Sequence, residues 1–117
     1  MYLGIDLGTS GVKLLLLDDA HAVVATADAA VPQHRPQPTW SEQHPADWWA
    51  GTCEAMKAAV EESGVAPPDI AGLSFSGQMH GLVAMDERDE VIRPAILWND
   101  QRTGAECAEI IDAAGGL

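Results

Sequence analysis

Gly4-Ile5-Asp6-Leu7-Gly8-Thr9-Ser10-Gly11-Val12-Lys13 contains the end of one apolar run, a four-residue turn and the start of a second apolar run. Tyr2 to Leu7 and Val12 to Leu17 read as strands joined by the tight turn Gly8-Thr9-Ser10-Gly11. Asp18-Asp19 makes the next turn, and Val23 to Val31 reads as a third strand, although its alanines are poor strand formers. Three strands with such short links predict an antiparallel meander.

The same stretch carries chemistry. An Asp at a strand end, two glycines and two hydroxyls in the turn, and a Lys on the next strand suit a polyphosphate. Gly8 lets backbone N–H groups approach phosphate oxygens, Thr9 and Ser10 add short donors, and Lys13 offsets charge that develops in phosphoryl transfer. Asp6 repels phosphate directly, so its useful role is to orient Mg²⁺, through water. An ionisable group between Ile5 and Leu7 is costly to bury unless something uses it. A plain hairpin, with Gly8 and Gly11 serving the turn and Asp6 capping it, is the alternative reading. The stretch contains no G-x-x-x-x-G-K-[ST], and the Gly4, Gly8, Gly11 spacing is not G-x-G-x-x-G.

Beyond the meander, Pro32 to Pro38 reads as an extended connector. Pro45 suits the first position of a helix, Asp47 lies near its positive end, and Gly64 stops it ahead of Pro67-Pro68. Trp49, Cys53, Met56 and Val60 recur on one face, which predicts the buried side. Ile70 to Ser76 reads as a strand that follows a crossover helix and joins an earlier strand in parallel. Leu82 to Met85 and Val91 to Arg93 read as a hairpin around the charged run Asp86 to Glu90. Ala95 to Trp98 reads as a short strand, and Arg102 to Ala114 as a helix with Cys107, Ile110, Ile111 and Ala114 on one face. The fold class is therefore α/β, in one unit over 1–117.

Composition narrows the function. The 117 residues hold 6 Lys and Arg against 18 Asp and Glu, a formal charge of −12, which argues against nucleic acid or an anionic membrane as partner. A chain of this length buries about two thirds of its unfolded surface, enough for one core. Cys53 and Cys107 lie far apart with no CxxC, so neither a disulfide framework nor a zinc site is indicated, and a reduced, cytoplasmic location follows. No run approaches the ~18 apolar residues of a membrane helix.

A second group of polar residues falls at strand ends, where open α/β sheets place ligands. Gln78 and His80 flank Met79, and Asn99 and Asp100 follow Trp98. Amide, imidazole and carboxylate groups can share the hydroxyls of a polyol, with Trp98 or Met79 against its carbon chain. A satisfied structural histidine is the plainer reading of His80, and Trp40, Trp48 and Trp49 read as core and hinge packing.

In these motifs the sequence resembles the sugar kinases of the FGGY family, relatives of actin and hexokinase. Gly4 to Lys13 is similar to their phosphate motif, and Trp40-Ser41-Glu42-Gln43-His44-Pro45-Ala46-Asp47-Trp48-Trp49 resembles a stretch of the xylulose kinases within that family. Gly77-Gln78-Met79-His80-Gly81 is similar to their sugar-contacting loop, and Pro94 to Thr103 to the segment after it. Glycerol kinases place an arginine–glutamate pair where Met79-His80 stand, and His44 departs from the Asp more usual in the xylulose kinases.

The resemblance implies a ribonuclease H-like, actin-type ATPase lobe: the meander, then parallel strands with crossover helices, incomplete in this chain. It implies transfer of the ATP γ-phosphate to D-xylulose with Mg²⁺ held near Asp6. Gly8, Thr9, Ser10 and Lys13 would meet phosphate, Met79 and His80 would hold the sugar, and Gln78 and Trp98 would support it. Such kinases are several times longer; their catalytic Asp lies beyond the position of Leu117 and the adenosine pocket mainly in a second lobe. The expected activity of these 117 residues alone is nil. Ribulose, another ketose or gluconate as substrate, a stand-alone sugar- or nucleotide-binding module, and a homodimer of the full-length protein all stay open.

Overall fold

The computed structural model describes Met1–Gly116. Strands β1 (Tyr2–Leu7), β2 (Gly11–Leu17) and β3 (Val23–Ala30) form the meander. A two-residue strand β4 (Glu42–Gln43) leads into helix α1 (Pro45–Ser63), and a single 3₁₀ turn (Pro67–Asp69) precedes β5 (Gly72–Gly77). Then come the short β6 (Ala95–Ile96) and helix α2 (Gly104–Ala113). The main sheet has the order β3-β2-β1-β5, with β1 antiparallel to β2 and parallel to β5. β4 and β6 pair as a separate antiparallel ribbon.

Strand alternation divides the sheet into two faces. Leu3, Val12, Leu14, Leu16, Ala25 and Ala29 are buried toward α1, together with Ala55 and Ala59 of the helix. Asp6, Lys13, Asp28 and Ser76 lie across the opposite face in one row, because Lys13 pairs with Asp28 and Asp6 pairs with both Lys13 and Ser76. Asp6 is therefore exposed. The burial cost expected from its neighbours Ile5 and Leu7 does not arise, since those two point the other way.

α1 begins at Pro45 and ends at Gly64, whose φ of 67° closes the last turn through its N–H to Val60 O at 2.9 Å. Its buried face is Gly51, Ala55 and Ala59, not the expected Trp49, Cys53, Met56 and Val60. Met56, Val60 and Trp48 pack at the margin of the core, while Trp49 and Cys53 are exposed. Small residues four apart let the helix lie close on the sheet: a Cβ on Gly51 would sit 3.2 Å from Val31 Cγ2. Bulk marks the wrong face because contact with a flat sheet selects for closeness.

Three expectations downstream need correction. The hairpin after Leu82 forms only as a turn, with one bridge between Met85 and Val91. Asp86 organises that turn by accepting from the N–H groups of Arg88 and Glu90. The strand expected over Ala95 to Trp98 is only two residues long and pairs with β4, which the alternation pattern is too short to reveal. The apolar face of α2 is exposed, Cys107 and Ile110 included, so its periodicity marks a face with no cover among the described residues. Leu73 and Phe75 of β5 share the α1 face but lie beyond the helix, leaving Phe75 79% exposed. The surface is 7986 Å², against roughly 6,100 Å² for a compact domain of this mass.

Gly11 is required by proximity and not by backbone conformation, since its φ is not positive. A Cβ there would lie 2.5 Å from the carbonyl oxygen of Ala29, closer than any real contact. Gly11→Ala is expected to destabilise the protein by about 2 kcal/mol, the scale of overpacking against fixed backbone, measured as a fall in the urea midpoint.

Candidate functional site

Gly8 to Gly11 form a tight turn closed by the Gly8 N–H to Gly11 O bond at 2.9 Å. The parallel register places Leu7 beside Gly77, and the pairing runs one step further through Gln78 N–H to Leu7 O at 2.9 Å. The turn and the Gln78-Met79-His80-Gly81 segment thus leave adjacent strands side by side.

Thr9, Gln43 and Gln78 form a ring there. The Gln43 amide N–H donates to Thr9 O at 2.7 Å, Gln78 Nε2 donates to Gln43 Oε1 at 2.9 Å, and Thr9 Oγ1 donates to Gln78 Oε1 at 3.1 Å. Two tryptophans enter the ring: Trp48 Nε1 donates to Gln43 Oε1 at 2.9 Å and Trp98 Nε1 to Thr9 Oγ1 at 3.1 Å. Gln43 is wholly buried. Gln43 lies within a motif but carries no signal of its own in the sequence, since a polar residue is assigned to the surface by default.

The remaining site residues are more open. Asp6 accepts from the Ser76 hydroxyl at 2.6 Å through Oδ1, which leaves Oδ2 free. Ser10 is exposed, and its carbonyl accepts from Val31 N–H. Lys13 has no carboxylate within 4.0 Å among the described residues, although Asp6 and Asp28 flank it in register. Asp6, Lys13 and Asp28, but not Ser10, line a trough of about 560 Å³ on the open sheet face, with Gly4, Ser74 and Ser76 along it. Met79 is 71% exposed and Trp98 59% exposed. His80 is exposed and has a φ of 63°, a left-handed backbone uncommon outside glycine and frequent at ligand sites. Neither Met79 nor His80 makes a side-chain hydrogen bond among the described residues, so both are free for a ligand.

No three His, Cys, Asp or Glu side chains among the described residues converge as a metal cage. One carboxylate with a free oxygen fits Mg²⁺ held through water and completed by phosphates, since Mg²⁺ usually keeps several waters and takes few protein ligands.

Asp100 has a different fate from the polyol contact expected of it. Its side chain is 2% exposed and takes both bonds of the Arg102 guanidinium, Nε to Oδ1 at 2.8 Å and Nη2 to Oδ2 at 2.7 Å. Oδ2 also accepts from Ser41 N–H at 2.6 Å. Arg102 reaches Glu42 at 2.8 Å and stacks 3.6 Å above the Trp40 ring, and Arg93 meets the same Glu42 oxygen at 2.6 Å. Hydrogen bonding from Arg102 holds the Asp100 carboxyl well below the usual carboxylate range, against the opposing effect of burial. The cluster ties the connector and β4 to the segment after β6, next to Trp98.

Residues 1–116 match the model of the N-terminal domain of the FGGY family of carbohydrate kinases. The chain belongs to this family. It is 49% identical to the xylulose kinase of Escherichia coli (strain K12) over 92% of this chain and 22% of that protein. It is 44% identical to the xylulose kinase of Bacillus subtilis (strain 168) over 97% of this chain and 23% of that protein. Among solved structures, a Brucella ovis xylulose kinase superposes with a TM-score of 0.90 at 45% identity, covering 97% of this chain and 24% of that one. A Plasmodium falciparum glycerol kinase superposes at 0.79 over 93% of this chain and 22% of that one; at 18% identity it shows the fold alone. The chain thus spans less than a quarter of the family members it matches, and its sheet is part of a sugar-kinase lobe of the actin type. No helix among the described residues is long and apolar enough to cross a membrane.

The Asp100 geometry gives a signed pH dependence. A carboxyl whose folded pKa is depressed stabilises the fold fully above its unfolded pKa of about 4, and loses that contribution as pH falls through the folded value. Asp100→Asn is expected to cost about 3 kcal/mol at pH 7, because Arg102 stays buried with half its partners. In urea titrations the gap between wild type and variant narrows as the pH is taken from 5 toward 2; a constant gap contradicts the assignment.

Proposed function

We propose that this chain is the opening part of the N-terminal lobe of an ATP-dependent kinase that phosphorylates D-xylulose to xylulose 5-phosphate in the cytoplasm. The carrying observation is the junction of Thr9, Gln78 and Trp98, which sets the phosphate turn directly beside the Gln78–Gly81 segment. A kinase needs such adjacency, because transfer demands in-line positioning of phosphate and acceptor hydroxyl.

In this reading Gly8, Thr9 and Ser10 cradle the phosphates and Lys13 offers its uncommitted ammonium to their charge. Mg²⁺, when bound with ATP, neutralises phosphate charge that Asp6 and Asp28 would otherwise repel. Asp6 orients that ion through water. Met79 and His80 hold the sugar from a strained, solvent-facing turn, with Gln78 and Trp98 beside them. The base that accepts the sugar hydroxyl proton lies outside these 117 residues, as does the surface that excludes water from the transfer.

Identity to the xylulose kinases supports D-xylulose as the acceptor, as does Met79-His80 in place of an arginine–glutamate pair. ADP release by the full-length polypeptide over D-xylulose, L-ribulose, glycerol and gluconate tests the assignment. The expected preference for D-xylulose is about 100-fold or more in kcat/KM, equivalent to about 2.7 kcal/mol, and is lost in His80→Ala. Preference for another sugar removes the substrate while keeping the kinase; no turnover removes both. The 117-residue chain alone is expected to release no ADP in response to sugar, and sustained release would overturn the placement of the base.

A further inference from the structure

The ring of Thr9, Gln43 and Gln78 has a fixed polarity, and that polarity has a functional reading. An indole N–H only donates. Trp48 therefore makes the Gln43 atom it meets an acceptor, which turns the Gln43 amide nitrogen to Thr9 O. Gln43 Oε1 also takes the Gln78 amide nitrogen, which turns Gln78 Oε1 to Thr9. Trp98 donates to Thr9 Oγ1 from the other side, so the single Thr9 proton goes to Gln78 Oε1. The tryptophans at the two ends leave no alternative arrangement of the amides.

From this we infer that the Thr9–Gln78 hydrogen bond couples phosphate binding at the turn to polyol binding beside Trp98, with Gln78 as a positioning residue and Gln43 as its fixed holder. The inference rests on the kinase reading above. A phosphate oxygen that accepts the Thr9 proton takes it away from Gln78 Oε1. Gln43 still grips the Gln78 amide nitrogen, so the amide cannot rotate to offer a donor instead. Its oxygen is left without that donor, beside the Thr9 hydroxyl that Trp98 meets and at the start of the segment that carries Met79 and His80. A hydroxyl of a bound polyol donates to that oxygen instead. Without phosphate, the same oxygen already accepts from Thr9, so a polyol hydroxyl arrives only as its second donor and gains less. Each ligand therefore strengthens the other by the same factor, as linkage requires. One exchanged hydrogen bond in a partly buried setting corresponds to a factor of roughly five to ten.

The experiment uses the full-length polypeptide, D-xylulose and a non-hydrolysable ATP analogue with Mg²⁺. Calorimetry gives each dissociation constant with and without the other ligand. Wild type is expected to bind D-xylulose about five- to tenfold more tightly with the analogue present, and the analogue more tightly by the same factor with D-xylulose present. Thr9→Val removes the proton and brings the factor within about twofold of unity, while Thr9→Ser restores it. Gln78→Met removes the factor with Thr9 intact, and carries the test by itself if Thr9→Val does not fold. An undiminished factor in the folded variants overturns the coupling, as does a factor of one in wild type when both ligands bind. If neither ligand binds, the kinase reading itself fails and the coupling fails with it.

Discussion

A buried primary amide must find partners for an oxygen and two N–H groups, and Gln43 lies wholly inside the protein. Its partners come from the glycine turn at Thr9, the strand-end segment at Gln78 and helix α1. Three elements distant in sequence are thus held by one side chain whose geometry tolerates little drift. The sheet sets the spacing of β1 and β5, and the amide sets how the turns that leave them face each other. An apolar residue at this position would fill the space but would hold no turn in place.

Charge is used just as sparingly. The chain has only six Lys and Arg residues against 18 Asp and Glu, so where each cation sits matters. Arg93 and Arg102 meet Glu42, Arg88 lies on Asp86 and Lys57 on Glu61. Lys13 stands between two carboxylates in register without closing on either. A cation held in a row of opposite charges but tied to none keeps its ammonium uncommitted among the described residues.

Much of the fold was legible in the sequence because it follows local rules. Short apolar runs located β1 and β2, the four-residue turn joined them, and Pro45 with Gly64 bounded α1 to the residue. The parallel partner of β1 followed from a crossover helix. Less legible were the features decided by distance and not by pattern. Gly51, Ala55 and Ala59 are inconspicuous beside Trp49, yet the sheet selects them because they are small. Asp6 seemed trapped between apolar neighbours only because a linear reading ignores the alternation that turns it outward. The site showed the same division. Thr9, Gln78 and Trp98 were named from residue type and meet in space, whereas buried Gln43 and Glu42, with half-buried Arg102, hold the site together from positions that polarity alone assigns to the surface. Asp100, a plausible polyol contact by chemistry, is consumed by Arg102.

The parallel register of β1 and β5 carries a consequence for how such a protein can diverge. The Gly8–Gly11 turn and the Gln78 segment issue from neighbouring strands at the same end, so their separation is one interstrand spacing, about 4.8 Å, whatever the chain does between them. The stretch from Leu82 to Pro94 belongs to no strand or helix, and it meets β6 through the Leu82–Ile96 bridge and β4 through the Arg93–Glu42 ion pair. A change in the length of that excursion therefore leaves the separation of the two turns untouched, because the strand pairing, and not the loop, is its ruler.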